Sequence, residues 1–398
     1  MNLTFTEEDI LHYGVSEVIG KEMLVTRIGS SKTPLKVKLG IDPTGPNMHL
    51  GHTLPIWRLR AFQELGHEIH LIIGDFTGQI GDTSDKDKER PMLSEAEVQS
   101  HMQRYEEQLW MILNKEKADQ IFFHRNSEWL APLSFAQVSY LAGAFSVNDF
   151  IKRELVAKRL DSGSRVSMRE LMYPIMQGYD SVAINADVEL GGTDQRFNLL
   201  AGRALQEQAG KPEQSLIMNV LVAGLDGRKM SKSLDNGIYL LDTPADKFGK
   251  AMSAHDDVLA ELLLLIPRSA QPFTQETLAT RMSSGENPRD IKLEIASAIV
   301  ELYHGAEVAQ ESSENWQAQF SQHQLPETIE EIAVAPDTTY LDLLVQLGWV
   351  TSKGDGRRVI EQGGVRVNGE TLENPLTVVE DGVLVQKGKR QLARIRIS

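Results

Sequence analysis

Between residues 35 and 240 short aliphatic runs of strand length alternate with stretches whose apolar residues recur at helical spacing. The clearest runs are LKVKLGI (35–41), EIHLIIG (68–74) and IMNVLVAG (217–224). Buried strands joined by helices predict a parallel α/β sheet. The Gly- and Asp-containing loops after such strands are where these sheets bind ligands. A chain of 398 residues allows roughly two to three domains of ordinary size, and no internal repeat or low-complexity tract competes with that reading.

The texture changes beyond residue 240. Residues 241–325 lose the strand runs, and IKLEIASAIVELYHG (291–305) carries its apolar residues at helical spacing, with Gly305 as a stop. This predicts a helical module. Residues 326–336, with Pro326, Pro336 and an acidic cluster, read as a linker. Residues 337–398 predict two short helices, the second starting near Ser352 and stopping at Gly363-Gly364. A strand and an Asn-Gly turn follow. The chain as a whole carries a net charge of −15, which argues against a general nucleic-acid coat. The tail differs, with 9 basic residues against 8 acidic. Cys is absent, which excludes disulfides, a thiolate nucleophile and Cys-ligated metals. No run approaches the ~18 apolar residues of a membrane span, and no secretory leader is visible, so a cytoplasmic protein is expected.

Two loops carry the chemistry. After the first run comes DPTGPNMHLGHT (42–53), and then a helical pattern with Pro55 in its first turn. A helix opening there aims free N–H groups at the strand ends, and Gly51 lets a ligand approach the backbone. His49 and His52 fall on one face if the turn is helical, so both can donate to one phosphate. H-x-x-H alone equally fits surface polarity, or a metal pair lacking a third ligand. The second loop, GLDGRKMSKS (224–233), places Lys229 and Lys232 among Gly and Ser, which suits gripping and releasing a polyphosphate. Alone it also fits a solvated turn.

With both loops present, the sequence resembles the class I aminoacyl-tRNA synthetases, whose signatures read HIGH and KMSKS. Further segments narrow the resemblance to the bacterial tyrosyl-tRNA synthetases: KLGIDPTGPNMHLGH (38–52), GDFTGQIGDTSDKDKERP (74–91), HRNSEW (124–129), LMYPIMQGYDS (171–181), GGTDQRFN (191–198) and GRKMSKS (227–233). The resemblance covers nearly the whole chain. It implies a Rossmann-like catalytic domain over 1–240 with a connective insertion at about 130–165, a helical anticodon-binding domain over 241–325, and a small α+β RNA-binding domain of the S-four type over 337–398.

It also implies the reaction: tyrosine and ATP, the latter arriving with Mg²⁺, give tyrosyl-adenylate and pyrophosphate. The tyrosyl group then passes to the terminal ribose of tRNA(Tyr). No protein-bound metal is expected. By match to the family, Thr44, His49, His52, Lys86, Arg90, Lys229 and Lys232 serve the phosphates. Asp180 accepts from the phenol, and Thr77, Asp82, Asn126, Tyr173, Gln177 and Gln195 hold the rest of the amino acid. Asp42, Gly51, Gly192, Asp194 and Met230 line the nucleotide or the junction of the two substrates. Many family members carry Tyr where Lys38 stands. Lys38 either replaces that Tyr as a donor to the phenol or points elsewhere. In the tail, Lys353, Arg357, Arg358 and Arg366 are the phosphate-contact candidates for tRNA. A homodimer is implied, with Phe145, Val147 and Ile151 suited either to its interface or to the core. The rival readings are a tryptophanyl-type synthetase and a synthetase-like RNA-binding protein without turnover. The fold resemblance alone does not decide between them.

Overall fold

The computed structural model describes residues 3–30, 33–43, 45–81, 94–321, 331–372, 374–388 and 391–397. Thr44, Asp82, Lys86 and Arg90 lie outside the described residues. The chain divides into two compact units, Met1–Ser313 and Glu314–Ser398.

The first unit is built on a six-stranded sheet of β1 (Val15–Ile19), β2 (Lys36–Ile41), β3 (Glu68–Ile73), β4 (Ile121–Arg125), β5 (Val188–Gly192) and β6 (Ser215–Asn219), in the order β1-β6-β5-β2-β3-β4. Only β1 runs antiparallel to its neighbour; the other pairings are parallel. Val37, Leu39, Ile69, Leu71, Val188 and Leu190 of the central strands are buried, as strands covered on both faces should be. The chain leaves β2 for β3 on one side, whereas β5 pairs with β2 on the other. The loops after β2 and β5 therefore diverge, and a crevice opens at the carboxyl ends of these strands.

Four helices frame that crevice: α1 (Thr53–Glu64), α2 (Glu95–Leu109), α3 (Met168–Ile184) and α4 (Arg196–Gln208). α3 starts with a Ser167/Glu170 capping box and stops at Asn185 in the left-handed conformation. It packs on α4 through two glycines. A Cβ on Gly178 would lie 2.9 Å from the carbonyl carbon of Ala201, and one on Gly202 would lie 2.5 Å from Gln214 Nε2.

The change of texture at about residue 240 marks a change of architecture within this unit. α5 (Pro244–Met252) and α6 (Pro288–His304) belong to it, and α6 ends at Gly305 with φ +90°. Buried Lys247 on α5 donates to Leu240 O at 2.8 Å and approaches His304 Nε2 at 3.0 Å. That clamps the segment following the lysine loop.

The second unit holds a five-stranded sheet of β7 (Glu331–Val334), β8 (Val365–Val367), β9 (Glu370–Thr371), β10 (Leu384–Lys387) and β11 (Gln391–Ile397), in the order β7-β11-β10-β8-β9. Part of the segment expected as a linker is thus strand β7, paired parallel with β11. α7 (Tyr340–Gln346) and α8 (Lys353–Glu361) lie between β7 and β8 in the chain. Val334, Tyr340, Leu343, Leu344, Ile360 and Val385 share one core. The β8–β9 turn uses Asn368 (φ +50°) and Gly369 (φ +90°). Among the described residues no helix is long and apolar enough to cross a membrane.

Candidate active site

The histidine loop follows β2 directly. α2 braces it: His101 Nδ1 meets Pro43 O at 2.8 Å, and Gln108 accepts from Met48 N at 2.8 Å and donates to Pro46 O at 3.0 Å. His49 then caps a single 3₁₀ turn, Leu50–His52, which leads into α1. The two imidazoles lie with centroids 3.7 Å apart, their planes tilted by 34°. Burial pushes His49 down to about 2 and His52 down to about 3, and the nearby cations of Lys232 and Lys229 push the same way. Both rings are therefore neutral at pH 7. His52 Nδ1 accepts from the His49 backbone N–H at 3.3 Å, which leaves its proton on Nε2.

The lysine loop meets this turn. The apolar run after β6 leaves the sheet at Asn219 and doubles back. Met230 N donates to Val222 O at 3.1 Å, around a turn with Gly227 at φ +79°. Beyond the loop, Leu50 N donates to Ile238 O and Leu240 N to Met48 O, stitching the two segments together. Met230 is buried against His49. A Cβ on Gly51 would lie 3.2 Å from Met230 Sδ, and one on Gly237 would lie 3.2 Å from His49 Cβ. Lys229 pairs with Asp194 at 2.9 Å, just past the end of β5 at Gly192. Lys232 lies 2.9 Å from the Tyr105 hydroxyl and 3.5 Å from Gly45 O.

Deeper in the crevice a polar network lines its floor. Asp42, at the end of β2, accepts from Thr77 Oγ1 and Tyr173 OH, both at 2.8 Å. Asn126 donates to Thr77 Oγ1 at 2.9 Å. Gly74 is required here, since a Cβ would stand 2.0 Å from Asp42 Oδ1. Asp180 on α3 is buried and accepts from Trp129 Nε1 at 2.8 Å. Burial pushes its carboxyl up to about 7. Lys38, the Trp129 N–H and Asn126 pull it down, while Glu189 pushes it further up. Gln177 Nε2 reaches Glu189 Oε1 at 3.2 Å. Gln195 is half-buried in the turn after β5. Of the two roles open to Lys38 in the sequence, the geometry favours the second. Its ammonium carries three hydrogens and faces Gln177 O at 2.9 Å, Ser181 Oγ at 2.8 Å and Glu189 Oε1 at 2.9 Å.

Neutral imidazoles, two lysines and a buried aspartate thus surround one crevice at a topological switch point. Residues 30–321 match the family described as tRNA synthetases class I (W and Y). A relative named tyrosine–tRNA ligase, from Moorella thermoacetica, is 43% identical over 396 residues, covering 97% of this chain and 94% of that protein. The chain belongs to the tyrosine–tRNA ligase family of class I synthetases. A tyrosine–tRNA ligase of Haemophilus influenzae is 40% identical, covering 98% of this chain and 96% of the relative. The tyrosyl-tRNA synthetase of Archaeoglobus fulgidus, solved with L-tyrosine, shares the fold. Its TM-score is 0.62 at 21% identity, over 77% of this chain and 98% of that one.

Among the described residues the structure gathers His49, His52, Gly51, Met230, Lys229, Lys232, Gly192 and Asp194 at the outer crevice. Asp42, Thr77, Asn126, Tyr173, Gln177 and Asp180 lie at its floor. No group of three His, Cys, Asp or Glu that could hold a metal occurs among the described residues. Sequence reasoning missed Glu189, Ser181, Trp129 and Tyr105. Glu189 had a signal, an acidic residue inside the apolar run VELGG. His101, Tyr105 and Gln108 share one face of α2 at i, i+4, i+7, a pattern that is visible only once α2 is known to face the loops.

In the second unit Arg357 and Arg366 are exposed. Lys353 and Arg358 are exposed as well, each paired with an aspartate, Asp342 at 2.5 Å and Asp355 at 2.7 Å. In the segment expected as an insertion, Phe145 packs on Phe150, while Val147 is exposed and Ile151 borders on exposed. Phe135 and Tyr140 are exposed there too, as is Met168 at the start of α3.

Proposed function

We infer that this chain is a tyrosine–tRNA ligase that activates tyrosine with ATP and charges tRNA(Tyr). A carboxylate oxygen of tyrosine attacks the α-phosphorus, and the bond to the bridging oxygen of pyrophosphate breaks. A hydroxyl of the terminal ribose then attacks the tyrosyl carbonyl, and AMP leaves. Neither step needs a protein nucleophile. The demands are in-line placement and neutralisation of the charge building on pyrophosphate. Lys229 and Lys232, with Thr44, Lys86 and Arg90, are assigned to that charge. The Nε2–H of His52 and a ring N–H of His49 donate to phosphate oxygens without adding charge. ATP brings Mg²⁺ as part of the substrate, held by phosphate oxygens and water.

Asp180 carries the choice of amino acid. A buried carboxylate aimed at a phenol is left unpaired by phenylalanine, which makes rejection strong; tyrosyl-tRNA synthetase is itself the standard worked example of this effect. Tyr173, Gln177, Asn126, Thr77, Asp82 and Gln195 are assigned to the rest of the amino acid. Asp42, Gly51, Gly192, Asp194 and Met230 are assigned to the nucleotide side. Lys353, Arg357, Arg358 and Arg366 are assigned to tRNA phosphates, and the exposed apolar residues around Phe135, Tyr140 and Val147 to a homodimer interface. The activity belongs in the cytoplasm, with tRNA.

The observation that carries this reading is the meeting of the two signature loops at Met230 and His49, beside the Asp180 pocket. Amino-acid-dependent ATP–pyrophosphate exchange tests it: tyrosine is expected to drive exchange. Exchange driven by tryptophan instead would select the tryptophanyl reading, and none with any amino acid would select the inactive one.

A further inference from the structure

Lys38 and Glu189 are fully buried, and they are register partners on the parallel strands β2 and β5. Their side chains meet at 2.9 Å beneath α3. Most of the contacts they make are with the turn of α3 that carries Asp180. Lys38 donates to Gln177 O and Ser181 Oγ. Glu189 accepts from Gln177 Nε2 at 3.2 Å, from Ser181 Oγ at 3.0 Å and from Gln214 Nε2. Close approach of α3 and α4 at Gly178 and Gly202 closes this cage.

We propose that the buried Lys38–Glu189 pair is the positioning element of the aromatic amino-acid pocket, fixing the α3 turn on the sheet and setting the charge of Asp180 so that it selects a phenolic ring over an unsubstituted one. The inference rests on the reading of Asp180 as the phenol acceptor. The charge count explains the arrangement: one cation stands beside two carboxylates out of water, so the buried pair bears on how readily Asp180 ionises. The groups facing Asp180 are Lys38 from β2, Glu189 from β5, and Trp129 and Asn126 from the turn after β4. Lys38 favours the carboxylate and Glu189 opposes it. Neither has to touch substrate.

The test measures tyrosine and phenylalanine affinity of the full-length protein by calorimetric titration from pH 5.5 to 9, alongside circular dichroism as a check of folding. Wild type should bind tyrosine more tightly as pH rises through the ionisation of Asp180. Glu189→Gln, nearly isosteric, should move that midpoint down by about one unit or more, and Lys38→Met should move it up by a similar amount. The double variant Lys38→Met/Glu189→Gln should return it close to wild type. The Lys38→Met change should also cut the tyrosine-to-phenylalanine affinity ratio by about tenfold or more at neutral pH. A merely structural pair would lower the melting temperature without moving the midpoint. If Lys38→Met does not fold, Glu189→Gln decides alone, and an unmoved midpoint overturns the proposal. Asp180→Asn separates the two readings. If it leaves the tyrosine preference intact, the acceptor assignment fails. If it abolishes the preference while the midpoint in Glu189→Gln stays put, only the proposed role of the pair fails.

Discussion

Lys229 of the lysine loop lies 2.9 Å from the Asp194 carboxylate, at the mouth of the crevice where the nucleotide ribose is assigned. The pair is partly exposed, so it is worth little on its own and exchanges partners readily. Under the proposed assignment, bound ATP would offer Asp194 hydroxyls in place of the ammonium and Lys229 phosphates in place of Asp194. Lys229→Ala should therefore slow adenylate formation by about 100-fold or more, the scale for losing one donor to developing charge. Tyrosine affinity should change less than about twofold, since the lysine is assigned no contact with the amino acid. Single-turnover kinetics and equilibrium titration of the same variant check both halves. A parallel loss of tyrosine affinity would contradict the assignment.

Tyr105 gives a second prediction. Its hydroxyl is 2.9 Å from Lys232, and its ring is 5.4 Å from the same ammonium. Tyr105→Phe keeps the ring and removes the hydroxyl. It should alter the rate of adenylate formation by less than Lys232→Ala does, while raising the KM for ATP more than that for tyrosine. Equal changes in the two KM values would argue that α2 acts only as packing.

How far the fold could be read from sequence is clear at particular residues. LKVKLGI and EIHLIIG became β2 and β3 almost residue for residue, because strands covered on both faces are predominantly apolar. IMNVLVAG gave less strand than expected. β6 stops at Asn219, and the remainder pairs with the lysine loop instead. That pairing depends on where the loop returns, which no local pattern encodes. Gly305, Asn368 and Gly369 were legible because positive φ leaves few residue types to choose from. Lys38 and Glu189 were each visible as a charge in an apolar run. Their partnership was hidden, since it requires the β2–β5 register across most of the catalytic region.

The histidines give a prediction in pH. Both are held far below the ordinary 6.5 of a free imidazole, first by burial. The unfolded chain therefore takes up protons that the folded chain refuses. Their contribution to stability is complete above pH 6.5 and is lost as pH falls below it. The melting temperature should drop between pH 6.5 and 4, and the drop should be smaller in a His49→Gln/His52→Gln variant. Adenylate formation in wild type should show no protonic step from these residues between pH 6 and 8. Equal acid sensitivity of variant and wild type would mean the rings are not held neutral.

Asp180 has the opposite sign. Its carboxyl is raised from 3.8 to about 7, chiefly by burial, so the folded protein holds a proton that the unfolded chain has released. The stability of the ligand-free protein associated with this group is full below about pH 4 and is lost as pH rises through 7. By the linkage relation the loss at pH 8 is on the order of 4 kcal/mol, at about 1.4 kcal/mol per unit. Asp180→Asn cannot ionise. It should be more stable than wild type in urea at pH 8 and close to it only below about pH 4, while its preference for tyrosine over phenylalanine collapses. The site then trades stability for selectivity, as buried charge in a binding pocket must. Wild type at pH 8 matching or exceeding the variant in stability would show that the carboxylate finds more compensation in the pocket than Lys38, Trp129 and Asn126 provide.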